Sequence, residues 1–402
     1  MRSSRLSVVL VEPWYGGSHR AWADGLAAHS RHDVRLVTHE DAHWRWRLRG
    51  SARTLADLVI ADVDAHGRPD VVLVSSMTDA AQLLGFARGA LTGVPAVLYL
   101  HESQIAYPTS PLPGARPDPL NGANGANGEQ PTWTNWASMT AVDRVVVNSR
   151  HHLDALRAEL PGLLAGVPDR SHVDPLDHLD GVLDAVEVLP VGVELDALMA
   201  MPRPADDAVH EDGPLVVWNQ RWDHDKDPEA LFRVLRALAR EGHAFRLALA
   251  GENRRLDPQE FVRTCNDLGE RVVHVGHLPR DGYLELLGRG DVVVSTARHE
   301  FFGVAVVEAI AAGLVPLLPD RLSYPELVPD RWHDACLYGA RLYDRLAAIL
   351  DDLPAARRRV DGLRGSMARW SWPEVAPRYD AMLEAAAEAD RSAAGRPARR
   401  AR

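Results

Sequence analysis

The hydrophobic positions of this chain form short runs of β-branched residues that alternate with longer helical stretches. Six such runs occupy the first half of the chain: RLSVVLV, DVRLVT, DVVLVSS, VPAVLYL, DRVVVNS and AVEVLP. Five more follow in the second half: PLVVWN, FRLALAG, RVVHVGH, DVVVSTA and LVPLLPD. Strands that alternate with helices in this way are typical of mainly parallel sheets in α/β proteins. The pattern therefore predicts two Rossmann-like, doubly wound domains, which together make an α/β fold.

A polar, proline-containing segment separates the two series of strands. It reads MPRPADDAVHEDG and spans residues 201 to 213. We place an N-terminal domain at residues 1 to 200, a C-terminal domain at residues 213 to 370, and their junction near residues 191 to 213. The length of 402 residues agrees with two domains, because it exceeds what one hydrophobic core usually supports.

Four segments depart from the alternation of strands and helices. Residues 109 to 130 are rich in Pro, Gly and Asn, which predicts a mobile loop, and residues 161 to 185 resemble a variable insertion. A capping-box pattern predicts a late helix over residues 371 to 390. The basic stretch from 391 to 402 is expected to be a disordered tail.

Composition and charge give predictions about cellular location, cysteine chemistry and nucleic-acid binding. No run of about eighteen apolar residues occurs, and Glu12 and Pro13 interrupt the first apolar stretch too early for a signal peptide, so we expect a cytoplasmic protein. Cys265 and Cys336 lie far apart and predict neither a disulfide framework nor a zinc site. A net charge of −11 argues against nonspecific coating of nucleic acid but allows a local basic patch.

The first strand-to-helix junction, VLVEPWYGGSHRAW, contains a glycine pair. Open α/β sheets bind ligands at the carboxyl ends of their strands, so such junctions are where chemistry is expected. Gly16 and Gly17 allow a ligand to approach the backbone closely, and His19 stands in the first turn of the following helix. An ordinary glycine turn with a surface histidine is the alternative.

The junction WNQRWDHDKDPEAL places two cations in one short loop after a strand. Arg221 offers a forked guanidinium and Lys226 a point charge, and Asp227 with Pro228 predicts a well-capped helix start. This combination suits a diphosphate. A solvated charged loop is the alternative.

The junction STARHEFFGVAVVEAIAAG carries one carboxylate in its turn and another in an apolar helix. Glu300 and Gly303 lie in the turn, and Gly313 is a predicted C-cap of the helix that contains Glu308. A buried carboxylate must be paired, hydrogen-bonded or protonated, and a sugar diol would satisfy it. The alternative is a structural salt bridge between Glu308 and an arginine elsewhere in the chain.

The segment HEDAH, residues 39 to 43, matches the HExxH zinc signature literally. It follows directly on the strand DVRLVT, so we predict that it ends a strand, and no third metal ligand follows it convincingly. Metalloprotease chemistry is therefore not expected.

The next segment, HWRWRLRGSAR, interleaves aromatic and guanidinium side chains. Such a pattern suits stacking on bases and contact with phosphates in single-stranded RNA loops, whereas the alternative is an amphipathic surface helix with half-buried tryptophans. The residues that carry the pattern are Trp44, Arg45, Trp46, Arg47, Arg49 and Arg53.

Two further strand ends carry polar residues. YLHESQIAYP provides His101 and Glu102, and NSRHHLDAL provides Asn148 and His151. We expect an interdomain cleft lined by His19, His101, Arg221, Lys226, Glu300 and Glu308.

These motifs resemble those of the retaining, GT-B-fold glycosyltransferases of family 4, in which an Arg and Lys five apart accompany a Glu-x7-Glu segment. Here the two pairs are Arg221 with Lys226 and Glu300 with Glu308. The chain is more closely similar to the tRNA-queuosine mannosyltransferases, over about residues 6 to 330. The segments that carry this resemblance are VEPWYGGSH, HWRWRLRGSA, LHESQIAYP, DRVVVNSRHHLD, WNQRWDHDKDPE, STARHEFFGVAVVEA and DRLSYPEL.

The resemblance implies transfer of mannose from GDP-mannose to queuosine in tRNA, with retention, in the anticodon of tRNA-Asp. Arg221 and Lys226 would hold the diphosphate and neutralise the leaving group without a metal or cofactor, and Glu308 would receive the ribose hydroxyls. The remaining donor contacts would come from Gly16, Gly17, Glu300, Phe302, Gly303 and Val304, and His101 would contact the transferred sugar. The acceptor side would comprise His19, Trp44, Arg45, Trp46, Arg47, Arg49, Arg53, Glu102, Asn148 and His151.

Two other functions remain open from the sequence. One is a family 4 enzyme that uses another nucleotide sugar on a small-molecule, lipid or glycan acceptor. The other is a noncatalytic RNA-binding module, against which the intact pairs of cations and glutamates argue.

Overall fold

The computed structural model describes residues 5–103, 129–167, 175–202, 212–251 and 259–394, without the side chains of residues 45, 129–131, 175, 260 and 390–394. The chain divides into two compact units. The first combines Met1–Gly192 with Trp372–Arg402, and the second is Val193–Ser371. The division at Gly192 falls inside the predicted junction, whereas the return of the C-terminal segment to the first unit was not predicted from the sequence.

The first unit contains a six-stranded parallel sheet in the order β2-β1-β3-β4-β5-β6. Its strands are β1 Ser7–Tyr15, β2 Asp33–Glu40, β3 Val71–Ser75, β4 Ala96–Leu100, β5 Arg144–Val147 and β6 Glu187–Val188. Its α-helices are α1 Gly17–His29, α2 Trp44–His66, α3 Ala80–Phe86, α4 Glu129–Ala141, α5 Arg150–Ala165 and α6 Leu179–Asp184, with a 3-10 turn at Pro175–His178.

The second unit contains a five-stranded parallel sheet in the order β11-β10-β7-β8-β9. Its strands are β7 Leu215–Trp218, β8 Arg246–Ala250, β9 Val272–Gly276, β10 Val292–Val294 and β11 Val315–Leu317. The helices are α7 Asp196–Met199, α8 Pro228–Arg240, α9 Gln259–Leu268, α10 Arg280–Arg289, α11 Val304–Ala312, α12 Tyr324–Leu327, α13 His333–Cys336, α14 Leu342–Asp351, α15 Leu353–Arg359 and α16 Leu363–Ser366. Short 3-10 turns lie at His224–Lys226, Gly269–Arg271, Asp330–Trp332 and Met367–Trp370.

The predicted α/β fold class is confirmed, since each strand lies on one of the apolar runs named above. The central strands are apolar throughout because helices cover both of their faces. In β1, for example, Val8, Val9, Leu10 and Val11 are all fully buried. In α8 the residues Leu231, Phe232, Leu235 and Leu238 recur at helical spacing and are also fully buried.

The last helix, α17 Trp372–Ala394, completes the first unit. Trp372 is fully buried, and a Cβ atom at Gly25 or Gly192 would lie 2.0 or 2.4 Å from its indole. Only glycine therefore leaves room for this ring at either position. Trp22 Nε1 donates a hydrogen bond of 2.9 Å to Tyr379, which in turn donates one of 3.1 Å to the carbonyl of Pro190.

Three predictions about irregular segments have mixed outcomes. The loop predicted at 109 to 130 lies outside the described residues, apart from two positions that begin α4. The described part of 161 to 185 is helical and adds Leu164, Leu179 and Leu183 to the core. The tail was expected from residue 391, but α17 continues to Ala394, and residues 395–402 lie outside the described part of the chain.

Candidate active site

The second sheet changes direction between β7 and β10, and the strand ends at this point carry the predicted donor residues. After β7 the chain proceeds outward through β8 and β9, then returns to place β10 on the other side of β7. Such a switch point opens a crevice at the carboxyl ends of the two strands. Lys226 follows β7 and Glu300 follows β10, so the topology explains why these distant residues meet.

Lys226 is the centre of this group. Its ammonium donates to the carbonyl of His299 at 2.8 Å and to Oε2 of Glu300 at 3.1 Å, and it lies 3.2 Å from Oδ2 of Asp225. Burial alone would lower the pKa of Lys226, but the two carboxylates outweigh it and raise that pKa above its usual value. Burial would raise the pKa of Glu300, but Lys226 lowers it overall. Both groups are therefore ionised at neutral pH.

Arg221 joins the group through Asp225, which sequence reasoning missed. Asp225 is 1% exposed, and its Oδ2 lies 3.8 Å from the guanidinium of Arg221. The backbone carbonyl of Asp225 also accepts the amides of Arg298 and His299, at 2.8 and 3.2 Å. One aspartate thus sits beside both predicted phosphate-binding cations and ties their loop to the loop that carries Glu300.

The predicted cap of α8 is wrong in one detail. Asp227 occupies the N-cap position and Pro228 follows at the first helical turn, as expected. Asp227 has a left-handed conformation with φ of 44°, however, and its side chain caps no amide. Its Oδ2 instead accepts from Nε of Arg298 at 2.8 Å, so it supports the neighbouring loop.

Glu308 has the arginine partner that was left open as the alternative. NH1 of Arg280 donates to its Oε1 at 2.5 Å, and Tyr283 also forms a hydrogen bond with this carboxylate. Burial raises the pKa of Glu308, and Arg280 opposes that effect only in part. Nδ2 of Asn219 donates to Tyr283 at 2.9 Å. Glu308 is therefore part of a network that reaches back to the end of β7.

Helix α11 begins directly after the turn that carries Glu300. Gly303 is the N-cap residue, with φ of 103° and no side-chain cap, and Val304 begins the helix. A Cβ atom at Gly303 would lie 3.0 Å from Leu327. The amide of Phe302 donates to Oε1 of Glu300 at 3.3 Å. Gly313 ends the helix with φ of 109°, which confirms its predicted role as a C-cap.

A second polar cluster lies at the carboxyl ends of β1 and β4 in the first unit. Glu12 is fully buried, and its Oε2 lies 3.1 Å from Nδ1 of His19 and 3.9 Å from Nε2 of His101. The rings of the two histidines are 4.3 Å apart. Burial, followed by the neighbouring His19 and His152, holds the pKa of His101 well below its usual value. The sequence predicted both histidines but not the glutamate that joins them.

The glycine pair after β1 has two separate reasons to be glycine. A Cβ atom at Gly16 would lie 2.3 Å from Cβ of Asp41, so the close neighbour at this position is a side chain of the loop after β2. Gly17 has φ of 52°, a conformation that favours glycine, and open space where its Cβ would be. Gly16 is therefore required by packing inside the protein, and Gly17 by backbone conformation.

Asn148 supports His101, but the histidine beside it is not the predicted one. Nδ2 of Asn148 donates to the carbonyl of His101 at 2.8 Å, and its Oδ1 lies 3.1 Å from Nδ1 of His152. His152 is fully buried, whereas the predicted His151 and Glu102 are partly exposed. The adjacent histidine therefore takes the buried position, because only one of two consecutive helical residues faces the core.

The Trp/Arg segment forms the first turns of α2. Trp46 is 50% exposed, and a Cβ atom at Gly50 would lie 2.6 Å from its ring, so the ring lies flat on the helix. Arg53 is exposed, pairs with Asp57 and stacks over Phe86 at 5.3 Å. Trp44, Arg47 and Arg49 are partly exposed. The opposite face buries Leu48, Ala52, Leu55, Ala56 and Val59.

HEDAH ends β2 and precedes α2, as the sequence predicted for it. His39 lies 2.8 Å from the hydroxyl of Thr54, and burial followed by Arg47 lowers its pKa. In the described part of the chain, two clusters outside HEDAH each bring three metal-ligating side chains together. They are Glu12 with His19 and His101, and Asp223 with His224 and Asp225. No described helix is both long and apolar enough to span a membrane.

Two solved structures share the fold over nearly the whole chain. Anabaena HepE in complex with UDP and glucose superposes with a TM-score of 0.62, at 15% identity, and covers 94% of this chain and 100% of its own. Sucrose-phosphate synthase from Thermosynechococcus elongatus gives a TM-score of 0.65, at 17% identity, with 95% and 100% covered. With residues 204–355 matching the model for glycosyl transferases group 1, the chain is a GT-B-fold glycosyltransferase.

Sequence comparison narrows this class. Residues 7–193 match the model of the tRNA-queuosine alpha-mannosyltransferase N-terminal domain. The tRNA-queuosine alpha-mannosyltransferase of Drosophila melanogaster is 30% identical over 335 residues, which are 82% of this chain and 83% of the relative. The chain belongs to the tRNA-queuosine mannosyltransferase family. A GDP-mannose:cellobiosyl-diphosphopolyprenol alpha-mannosyltransferase of Xanthomonas oryzae is 26% identical over 177 residues, 42% of this chain and 46% of that enzyme.

Proposed function

We propose that this protein transfers mannose from GDP-mannose to queuosine in the anticodon of tRNA-Asp, with retention at the anomeric carbon. The observation that carries the proposal is the meeting of Lys226, Glu300 and the Arg221 loop at the switch point of the second sheet. This arrangement sits within the segment that matches group 1 glycosyltransferases. The donor and acceptor follow from the family to which the chain belongs.

The cations of the second unit would hold the donor diphosphate. Lys226 is held by two carboxylates and a carbonyl, so its ammonium has a fixed position before a ligand arrives. Arg221 keeps its side chain 47% exposed, which leaves the guanidinium accessible to phosphate oxygens. Fixed positive charge near a departing nucleotide diphosphate stabilises the charge that develops as the glycosidic bond breaks. The amides at the start of α11 add donors of the same kind.

The neutral part of the donor would bind next to the same loops. Glu300 would accept hydrogen bonds from sugar hydroxyls, and Glu308 would accept them from the ribose diol. Arg280 would keep its own hydrogen bond to Glu308 or yield it to the ribose. Asn219 connects Glu308 to the end of β7, because its Nδ2 donates to Tyr283 at 2.9 Å and to the carbonyl of Ala305 at 2.8 Å.

Retention is best explained by attack from the same face that the diphosphate leaves. In such a step the acceptor hydroxyl bonds to the anomeric carbon, the bond to the diphosphate oxygen breaks, and the hydroxyl proton passes to the departing phosphate. The first unit would hold the acceptor and contact the transferred sugar through His101. No enzyme-bound glycosyl intermediate is required.

The exposed face of α2 would contact the tRNA. Trp46 presents a flat ring, and the stack of Arg53 on Phe86 lies two helical turns further along the same face, about 10 Å away. Aromatic rings and guanidinium groups bind unpaired bases and phosphates without strict sequence preference. A tRNA acceptor also implies that the enzyme works in the cytoplasm.

The direct test is nucleoside mass spectrometry of queuosine-containing tRNA after incubation with the protein and GDP-mannose. We expect one added hexose on queuosine, and none on tRNA with unmodified guanosine at that position or with Arg221→Ala. The lipid-linked acceptor of the Xanthomonas relative suggests the second candidate, a GDP-mannose enzyme for another acceptor. Turnover of GDP-mannose on a polyprenol-linked glycan, with no mass increase on queuosine tRNA, would favour it and overturn the tRNA assignment.

A further inference from the structure

Glu12 is a charged residue inside an apolar strand, and both of its carboxylate oxygens are engaged. Oε1 accepts the amide of Trp14 at 2.8 Å, and Oε2 lies 3.1 Å from Nδ1 of His19. The residue is fully buried. A buried carboxylate requires hydrogen-bond donors, and the amide of Trp14 and the ring of His19 supply them at this position.

The contact between Glu12 and His19 fixes where a proton resides. A carboxylate can only accept, so Nδ1 of His19 must donate, and the neutral imidazole then carries its lone pair on Nε2. A carboxylate that holds an imidazole through Nδ1 is a known way to fix both its tautomer and its orientation. Nε2 is thereby the nitrogen suited to accept a hydrogen bond from a hydroxyl.

His101 belongs to the same cluster, but its ring is held by aromatic packing and not by a hydrogen bond from its Nε2 to a described residue. It packs against the rings of Trp22 and Tyr99, with centroid distances of 4.5 and 4.7 Å. Its Nε2 is buried and has no hydrogen-bond partner among the described residues. At 3.9 Å from Glu12 it is beyond hydrogen-bond distance, so the carboxylate orients His19 directly and only approaches His101.

We propose that Glu12 is a positioning residue for glycosyl transfer, which sets the tautomer and ring orientation of His19 and, through the amide of Trp14, the entry into the Gly16–Gly17 turn. The inference rests on the proposed function, because its effect on rate is exerted on that reaction. By orienting His19, Glu12 would allow Nε2 of that histidine to accept a hydrogen bond from a hydroxyl group of the substrate. Glu12 itself would touch neither donor nor acceptor.

The test uses the full-length protein labelled with 15N-histidine, and assigns the His19 signals by their loss in His19→Ala. Long-range 1H–15N correlation spectra should show wild-type His19 protonated at Nδ1. Glu12→Gln should abolish that preference, because a neutral amide can offer its NH2 group to the ring. Glu12→Asp keeps the charge and should retain the wild-type tautomer.

Rates on queuosine tRNA provide the second readout. We expect kcat to fall by about 10²-fold in Glu12→Gln with little change in the KM for GDP-mannose, and the Glu12→Gln/His19→Ala double variant to be no slower than His19→Ala. Asp24→Asn in α1 is the matched control, since Asp24 is a partly exposed carboxylate that pairs with Tyr15 and Arg20. It should leave kcat and the His19 spectrum unchanged.

Three results would overturn the proposal. The first is a wild-type tautomer and kcat in Glu12→Gln, and the second is wild-type His19 protonated at Nε2. The third is one equivalent of Co2+ or Zn2+ bound by the wild-type protein and lost in Glu12→Gln, which would make the cluster a metal site. Failure of the wild-type protein to modify queuosine tRNA would instead contradict the proposed function, and the spectra would still decide the role of Glu12.

Discussion

The two sheets present very different chemistry at their carboxyl ends. In the second unit, Arg221, Asp225, Lys226 and Glu300 form a chain of alternating charges in which each cation has a carboxylate beside it. In the first unit, the described contacts of the Glu12 side chain are imidazoles and a backbone amide. The second unit pairs carboxylates with ammonium and guanidinium groups, whereas the first pairs a carboxylate with imidazoles.

The difference matches the ligands that the two units would receive. A diphosphate is an anion, and cations fixed in advance by carboxylates lose little freedom when they bind it. A hydroxyl acceptor carries no charge, so imidazole nitrogens, which can donate or accept a hydrogen bond, would suit it better. The same α/β architecture would thus serve two kinds of recognition through different side chains near the carboxyl ends of its strands.

Separate removal of the two cations of the second unit should have the largest effect. Arg221→Ala and Lys226→Ala should each lower kcat/KM by about 10³-fold, because each removes charge that stabilises the leaving diphosphate. The two variants should differ in stability. Lys226→Ala leaves the buried Asp225 and the partly buried Glu300 without their ammonium and should lower the free energy of unfolding by about 3 kcal/mol. Because Arg221 is half-exposed, Arg221→Ala should change the free energy of unfolding little.

Initial rates and urea denaturation of both variants test this expectation. A wild-type rate in Arg221→Ala would show that the diphosphate binds elsewhere. An equal decrease in the free energy of unfolding in the two variants would show that Lys226 contributes no more to the stability of this charged cluster than Arg221 does.

A smaller effect is expected on the tRNA-binding side. Gly50→Ala should weaken tRNA binding by about 10-fold, as should Trp46→Ala, because a Cβ at position 50 must lift the Trp46 ring from the helix. Leu58→Ala removes another exposed apolar side chain of α2 and is the matched control. Binding isotherms at several salt concentrations measure the effect, and replacement of Arg45, Arg47 and Arg49 together should also flatten the salt dependence. Unchanged affinity in all of these variants would remove α2 from the acceptor site.

The pairing of Arg280 with Glu308 gives a pH-dependent prediction. Arg280→Ala should raise the KM for GDP-mannose by about 10-fold, because Glu308 loses the cation that fixes it. Burial already raises the pKa of Glu308, and loss of Arg280 would raise it further. The carboxylate would then be protonated over a wider range, so KM should begin to rise at a higher pH than in the wild type as the solution is acidified. Arg289→Ala in the same helix breaks only an exposed pair with Glu285 and should match the wild type.

The smallest expected effect concerns acid stability. The pKa of Glu300 is lowered in the folded protein, so its carboxylate contributes stability above the usual range of a glutamate, and this contribution is lost as the pH falls through the lowered value. Glu300→Gln should therefore unfold about 1 kcal/mol more easily at pH 7. The difference from wild type should narrow below about pH 4. A difference that stays constant with pH in urea denaturation would contradict this assignment.

The sequence predicts the strands of both sheets well, because apolar runs between helices leave little choice of fold. It also identifies both Lys226 and Glu300. These residues come together because β7 and β10, which they follow, are neighbours in the sheet. Asp225 was missed because an aspartate in a charged loop carries no distinctive pattern. Glu12 was missed although it shows the same signal that singled out Glu308, a carboxylate among apolar residues.

Other features depend on contacts between distant residues, which a sequence alone does not reveal. The partner of Glu308 is Arg280, 28 residues earlier, and no spacing rule connects them. The choice between His151 and His152 depends on which face of α5 meets the core. Gly16 was interpreted as a place for a ligand, but the atom that approaches it belongs to Asp41.

The return of α17 to the first unit has a consequence for biosynthesis. Trp372 fills the space between Gly25 and Gly192, so the first unit lacks a central part of its core until that residue has been translated. The second unit, Val193–Ser371, is by then complete. The half of the protein that leaves the ribosome first is therefore the last to finish folding, and truncation before α17 should leave it exposed to chaperones and proteases while the other half is intact.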